Sequence, residues 1–256
     1  MEFKIGDFVL ENNNKDIYII EDILENKCFL KGYTTRIKKE VDINNLILAS
    51  SKEINNERLK QERTKNKLKI ITSKRSPNKI LYGTILHIDG DEDYLESCMN
   101  LYQELNIYAN GICIKEENIK YKIEELVLKL TPDIIVITGH DLYNGKDIKD
   151  ISNYQNTPHF IDALRIVRKH FNQDSVIVII GACGSHFEAL IASGANFSSS
   201  PKRINIHTYD PAILAIKAAT TSINQTIDFE QALKFIENSH DAFGGIETKG
   251  KMKILL

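Results

Sequence analysis

Residues 176–184 read VIVIIGACG, and residues 134–141 read IIVITGHD. Each is an apolar block rich in β-branched residues that stops at a glycine and then presents a reactive side chain, Cys183 in one and His140 in the other. A short apolar run ended by glycine is how a strand buried on both faces reads. Such strands belong to parallel sheets whose crossovers are helices, so the neighbouring segments should be helical. Lys122 to Leu130 places Ile123, Leu126, Val127 and Leu130 on one side and meets Thr131-Pro132, which predicts a helix before the first block. Pro158 to Phe171 predicts an amphipathic helix between the two blocks.

Working outward, ILYGTILHID (80–89) predicts a first strand, Asp93 to Leu105 a helix, and Ile107 to Ile114 a second strand. After Cys183 the expected elements are a helix over Ser185 to Ser193 and a short strand over Ile204 to His207. A helix from Pro211 to Ser222, opened by Asp210, and a last one from Phe229 to Asn238 follow. Residues 79–256 are therefore expected to form an α/β domain, a mostly parallel sheet with helices on both faces. Residues 1–50 have a different texture. FKIGDFVLEN, DIYIIEDIL, KCFLKGY, TRIKKEV and NLILAS alternate apolar and polar positions, with turn residues at Gly6-Asp7, Asn12 to Asn14 and Gly32. They predict a small, strongly bent, SH3-like β module; an N-terminal β-extension of the main domain is the other reading. Residues 51–78 are rich in Lys, Arg, Glu and Asn and read as a charged linker or an exposed helix.

The composition narrows the function classes. With 42% apolar residues, 27% charged residues and a net charge of −2 over 256 residues, the chain has the profile of a water-soluble globular protein and no global nucleic-acid footprint. The basic, Asn-rich linker invites a nucleic-acid or protein partner, but its mixed charge argues against nucleic acid. No apolar run approaches the roughly 20 residues that span a bilayer, and the start, MEFKIGDFVLENN, lacks the pattern of a secretory leader. No membrane partner is expected, and synthesis in the cytoplasm is. Cys28, Cys98, Cys113 and Cys183 form no CxxC pair, and His159, His170, His207 and His240 have no ligand spacing. Neither a metal nor a cofactor is expected. Oligomeric state is not legible.

In a parallel sheet, chemistry gathers beyond the carboxyl ends of the strands. Those ends read HIDGDED, GHD and GACGS, so acid, imidazole and thiol should share one edge. A thiol peptidase needs an accessible thiolate, a histidine to move a proton, and N–H donors for the oxyanion. Cys183, with Gly181, Ala182 and Gly184 around it and a helix expected after it, suits the nucleophile. His140, one strand away, suits the general acid and base. Singly, a cysteine after an apolar strand is a small core residue and a histidine at a strand end is a surface group; the two motifs together are hard to explain as packing.

An apolar block ending in His, followed by one ending in Ala-Cys, resembles the caspase, clostripain and gingipain cysteine peptidases. A closer resemblance covers most of the chain: GDFVL, HIDGDEDYL, PDIIVITGHD, GACGSHFEALIASGANFSSSPKRINIHTYDP and GGIETKG are similar to the YabG family of sporulation-specific peptidases. The resemblance implies a caspase-like fold and trimming of spore-coat and other spore proteins. It also implies cleavage after arginine, self-cleavage and association with the spore coat. Here Gly139 precedes His140 and Asp141 follows it, whereas the wider group has Gly after His. The oxyanion hole would then use the backbone N–H groups of Cys183 and Asp141.

Arginine at P1 calls for a carboxylate in the S1 pocket. The wider group builds that pocket partly from the end of the first strand, which makes Asp89 and Asp91 the candidates, with Asp210 at another strand end as the third. Glu92 and Asp93 fit better as helix caps. Asp141, Asp133 and Glu188 are nominal orienting partners for His140, and Glu188 also suits a helix cap. Ser185 and His186 read as the first turn of a helix, SSSPKR (198–203) as a polar loop, and GGIETKG (244–250) has no assignable role. Arg36, Arg58, Arg63 and Arg75 are the sites at which an Arg-directed enzyme would cut itself. Two other classes compete. A non-catalytic coat-assembly scaffold would leave the thiol unreactive. A receiver-like regulatory domain would need an aspartate where His140 stands and a lysine near His207 to Asp210.

Overall fold

The structure is a computed structural model that describes residues 3–12, 14–72 and 80–255. Asn13, in an expected turn, and residues 73–79, which include Arg75 and the end of the expected linker, lie outside the described residues. The chain divides into two compact units, residues 1–68 and 69–256.

In the first unit the alternating pieces become five strands: β1 (Phe8–Glu11), β2 (Ile17–Leu24), β3 (Lys27–Gly32), β4 (Lys38–Asp42) and β5 (Leu46–Leu48). They form one antiparallel sheet in the order β4-β3-β2-β1-β5. The inward positions, Val9, Tyr18, Ile20, Cys28, Leu30, Val41 and Leu46, make a single core. A break in register between Ile20 and Asp22 bends β2. The charged connection is helical from Ser51 to Thr72 (α1). Its start is a reciprocal cap, with Glu53 N–H donating to Ser50 Oγ at 3.3 Å and Ser50 N–H donating to Glu53 Oε2 at 2.8 Å.

In the second unit the elements are β6 (Ile80–Leu81), β7 (Ile85–Asp89), α2 (Glu92–Glu104), β8 (Ala109–Cys113), α3 (Ile119–Leu130), β9 (Ile134–Thr138), α4 (Thr157–His170) and β10 (Ile177–Ile180). They continue with α5 (Phe187–Ala192), β11 (Phe197–Ser199), α6 (Asp210–Thr220), α7 (Phe229–Leu233), α8 (Ser239–Ala242), β12 (Phe243–Gly245) and β13 (Lys253–Ile254). Six strands form a sheet in the order β12-β11-β10-β9-β7-β8, parallel throughout except for β12 against β11. All residues of β7, β9 and β10 are buried, as expected of central strands covered on both faces. Leu86, Ile88, Ile135, Ile137, Val178 and Ile180 pack on Ile123 and Val127 of α3 and Phe160, Leu164 and Val167 of α4. α2 and α6 pack on the other side of the sheet. The outcome is a mixed α/β fold with a mostly parallel sheet.

Several boundaries differ from expectation. The stretch 80–89 breaks into β6 and β7 at Gly83, where a Cβ would come within 2.6 Å of the Lys251 side chain. The strand after Cys183 is not Ile204 to His207 but β11, one turn earlier, where Ser198 and Ser199 are buried. The helix expected over 185–193 is the shorter α5, and the one expected over 229–238 stops at Leu233 before the separate turn of α8. GGIETKG acquires a role: Gly244 and Gly245 lie in the edge strand β12, and a Cβ at Gly245 would meet the Phe197 ring at 2.3 Å.

Candidate active site

Parallel pairing aligns Asp89 with Thr138 and Ile137 with Ile180. The ladder runs on past the strand ends through Gly90 N–H to Thr138 O at 3.0 Å and Gly181 N–H to Ile137 O at 3.1 Å. Asp91, His140 and Cys183 follow these three neighbouring strands, β7, β9 and β10, within three residues of their ends. All three residues therefore stand beyond the carboxyl ends of adjacent parallel strands.

The acid and imidazole are in contact, with His140 Nε2 3.1 Å from Asp91 Oδ2. Asp91 is held from behind. Its Oδ1 accepts the N–H groups of Asp93 at 3.2 Å and Tyr94 at 3.5 Å, which makes it the N-cap of α2. The Tyr94 ring lies 5.8 Å from the imidazole. His140 Nδ1 is buried without a hydrogen-bond partner. The backbone of His140 is fixed on both sides, its N–H donating to Glu116 Oε1 at 2.6 Å and its carbonyl accepting from Asn156 Nδ2 at 2.8 Å. Glu116 was not foreseen. Its carboxylate fills the space a side chain would need at Gly139 or Gly90, where a Cβ would come within 2.2 Å of Oε1.

Asp141 joins the two loops. Its carboxylate accepts from Thr157 Oγ1 at 2.5 Å, Asn156 N–H at 2.7 Å, Ser185 Oγ at 2.9 Å and its neighbour Leu142 N–H at 2.9 Å. Burial nevertheless pushes its pKa above the ordinary 3.8, against these hydrogen bonds. The Ser185 hydroxyl also accepts Ala182 N–H at 2.9 Å, so the acid after His140 steadies the turn that carries Cys183.

That turn is braced from β11 as well. Ser199 and Ser200 donate to Ala182 O at 2.8 and 3.1 Å, and Ser200 Oγ accepts Gly184 N–H at 3.0 Å. The first half of the segment read as a polar loop, Ser198 to Ser200, is thus a buried support, while Pro201 to Arg203 remain a turn. Cys183 is 5% exposed, and its sulfur accepts Ile206 N–H at 3.3 Å. The backbone before α6 therefore lies along the thiol. The helix expected directly after Cys183 begins only at Phe187 and has six residues, with His186 as its cap, so its dipole gives less support to a thiolate than anticipated.

Of the S1 candidates, Asp89 is fully buried; its Oδ2 accepts from Thr138 Oγ1 at 2.8 Å and its Oδ1 from Asp91 N–H at 3.0 Å. Asp91 faces His140. Asp210 is the first residue of α6, is 2% exposed, and accepts His207 N–H at 2.7 Å. Among the nominal orienting acids, Asp133 stands at the opposite end of β9, bonded to Thr84, and Glu188 pairs with Arg203 at 2.5 Å. Among the described residues, no helix is long and apolar enough to cross a membrane, and no group of three or more His, Cys, Asp and Glu side chains is arranged to hold a metal.

A sequence profile for the family described as YabG peptidase U57 matches residues 4–256. The chain belongs to the YabG peptidase U57 family. One curated relative, the sporulation-specific protease YabG of Bacillus subtilis (strain 168), is 40% identical over 175 residues, covering 67% of this chain and 60% of the relative. The matched stretch thus spans about three fifths of that protein's length. No solved structure matches. The YabG family strings of the sequence fall on the strand ends just described: HIDGDEDYL carries Asp91, PDIIVITGHD carries His140, and GACGS carries Cys183.

Proposed function

We propose that this chain is a cysteine endopeptidase in which Cys183 is the nucleophile and His140 the general acid and base. The observation that supports the proposal is the parallel pairing of β9 and β10, Ile137 opposite Ile180, so that neighbouring strands end side by side and lead within three residues to His140 and to Cys183. In the first half-reaction the thiol proton passes to His140, sulfur bonds to the scissile carbonyl carbon, and the C–N bond breaks as that proton moves to the leaving amine. Water then gives a proton to His140 and its oxygen to the acyl carbon, and the S–C bond breaks to return the thiol. The backbone N–H groups of Cys183 and Asp141 form the oxyanion hole. The many bonds to the Asp141 carboxylate support this by fixing the local backbone.

The finer reading follows the family. The α/β unit is caspase-like and the first unit an SH3-like module. The substrates are spore-coat and other spore proteins cut after arginine in the sporulating cell, the enzyme associates with the coat, and it processes itself. Among Asp89, Asp91 and Asp210, Asp210 is favoured as the S1 acid, because it stands on the segment that lies along the Cys183 sulfur. The relative's name, sporulation-specific protease, supports the peptidase and sporulation parts of this reading.

The test is hydrolysis of peptides with Arg, Lys or Leu at P1 by wild type, Cys183→Ala and His140→Ala. Arg-selective turnover lost in both variants and on iodoacetamide treatment is the expected result. A folded wild-type protein without turnover would favour the non-catalytic scaffold instead.

A further inference from the structure

We infer that Asp91 is the positioning residue for His140, and that it sets which ring nitrogen works as the base. The inference rests on His140 and Cys183 being the catalytic pair. Asp91 was considered above as an S1 acid because it follows the first strand, but its Oδ2 lies 3.1 Å from His140 Nε2. A carboxylate accepts hydrogen bonds and does not donate them, so the imidazole proton belongs on Nε2. The lone pair is then on Nδ1, the atom that is buried without a hydrogen-bond partner and is left to receive the thiol proton. This is the job a third group does in a nucleophile, base and orienter arrangement.

Two features make Asp91 suited to the role. Its Oδ1 is committed to the first turn of α2, and its own N–H donates to Asp89 Oδ1 at 3.0 Å, so the carboxylate has little freedom to leave the imidazole. Its side chain is 5% exposed, so water competes poorly for Nε2–H. Helix α2, not a flexible loop, thus aims the base.

The experiment uses Asp91→Asn in the full chain. Asparagine keeps the cap through Oδ1, but its amide presents N–H groups to Nε2, which moves the proton to Nδ1 and removes the base. The expected result is a fall in kcat approaching about 10⁴-fold, the loss seen for the matching Asp-to-Asn change in a serine-protease triad, with KM nearly unchanged and the same fold loss for Arg, Lys and Leu at P1. Asp91→Ser, a capping residue too short to reach the imidazole, should behave alike. Thermal melting of the same samples confirms folding. Turnover within threefold of wild type in either folded variant overturns the inference, as does a loss confined to Arg substrates, which would mark an S1 acid. Failure of the catalytic pair itself reads differently, as turnover surviving in Cys183→Ala.

Discussion

The Glu116 carboxylate accepts the backbone N–H of His140 at 2.6 Å from inside the sheet edge, between Gly90 and Gly139. Removing it with Glu116→Ala leaves a buried N–H unpaired, which costs about 1–3 kcal/mol and lets His140 drift from Asp91. Glu116→Gln keeps an acceptor oxygen. The expected order of turnover is wild type, then Glu116→Gln, then Glu116→Ala at least tenfold lower. Gly139→Ala should resemble Glu116→Ala, because its Cβ displaces the same carboxylate. Peptide kinetics with thermal melts check both.

Gly181, just before the Cys183 turn, has φ +116°, and a Cβ there would lie 2.4 Å from Ser199 Oγ. Gly145 has φ +80° with nothing within 4 Å of a Cβ. Alanine at either position costs about 1 kcal/mol or more for the left-handed backbone. Only Gly181→Ala adds a clash, so chemical denaturation should find it clearly less stable than Gly145→Ala, with turnover depressed as well.

Asp141 holds its proton more tightly in the folded chain than the ordinary 3.8, because burial disfavours its charge. Its contribution to stability is therefore fully present below 3.8 and lost as pH rises through the higher folded value. Asp141→Asn lacks this titration. The stability of wild type relative to Asp141→Asn should fall as pH rises across that window, as read from melting curves of the two proteins between pH 3.5 and 7.

Arg168 of α4 ties together three elements at the far edge of the sheet. It donates to Gly194 O at 2.8 Å, Val176 O at 2.9 Å and Asn196 Oδ1 at 2.8 Å. Burial lowers its guanidinium to about 10, which still leaves it charged at neutral pH. Arg168→Ala should cost about 2–4 kcal/mol by orphaning these acceptors, and Arg168→Lys should recover only part, because an ammonium cannot span them. Denaturant midpoints give the comparison.

The proposed self-processing would favour some arginines over others. Arg36 is fully buried in the first unit, whereas Arg58 and Arg63 are exposed on α1. Fragments beginning at Leu59 or Thr64 are expected in active protein and absent from Cys183→Ala. Mass spectrometry that finds Ile37 as the main new terminus would contradict this.

Much of this fold was legible because its central strands are apolar from end to end. IIVIT and VIVII could hardly be anything but buried, and the glycines after them marked the edge where His140 and Cys183 stand. β11 was not legible, because its Ser198 and Ser199 look like a loop until the bonds from Ser199 and Ser200 to Ala182 are known. INIH was misleading for the opposite reason, its apolar residues lying against Cys183 without joining the sheet. The Asp91 and His140 contact depends on the pairing of β7 with β9, which no local pattern encodes. Glu116 was hidden by its setting in a charged stretch, KEEN, that reads as surface.

The placing of Asp91, His140 and Cys183 after three adjacent strands also has a timing. The three come from separate crossovers, so a chain leaving the ribosome exposes the acid first, the imidazole next and the sulfur last. They meet only when β10 docks between β9 and β11. The first unit and α1 are complete well before that, and for the whole of that interval Asp91 and His140 wait for the sulfur that is synthesised last.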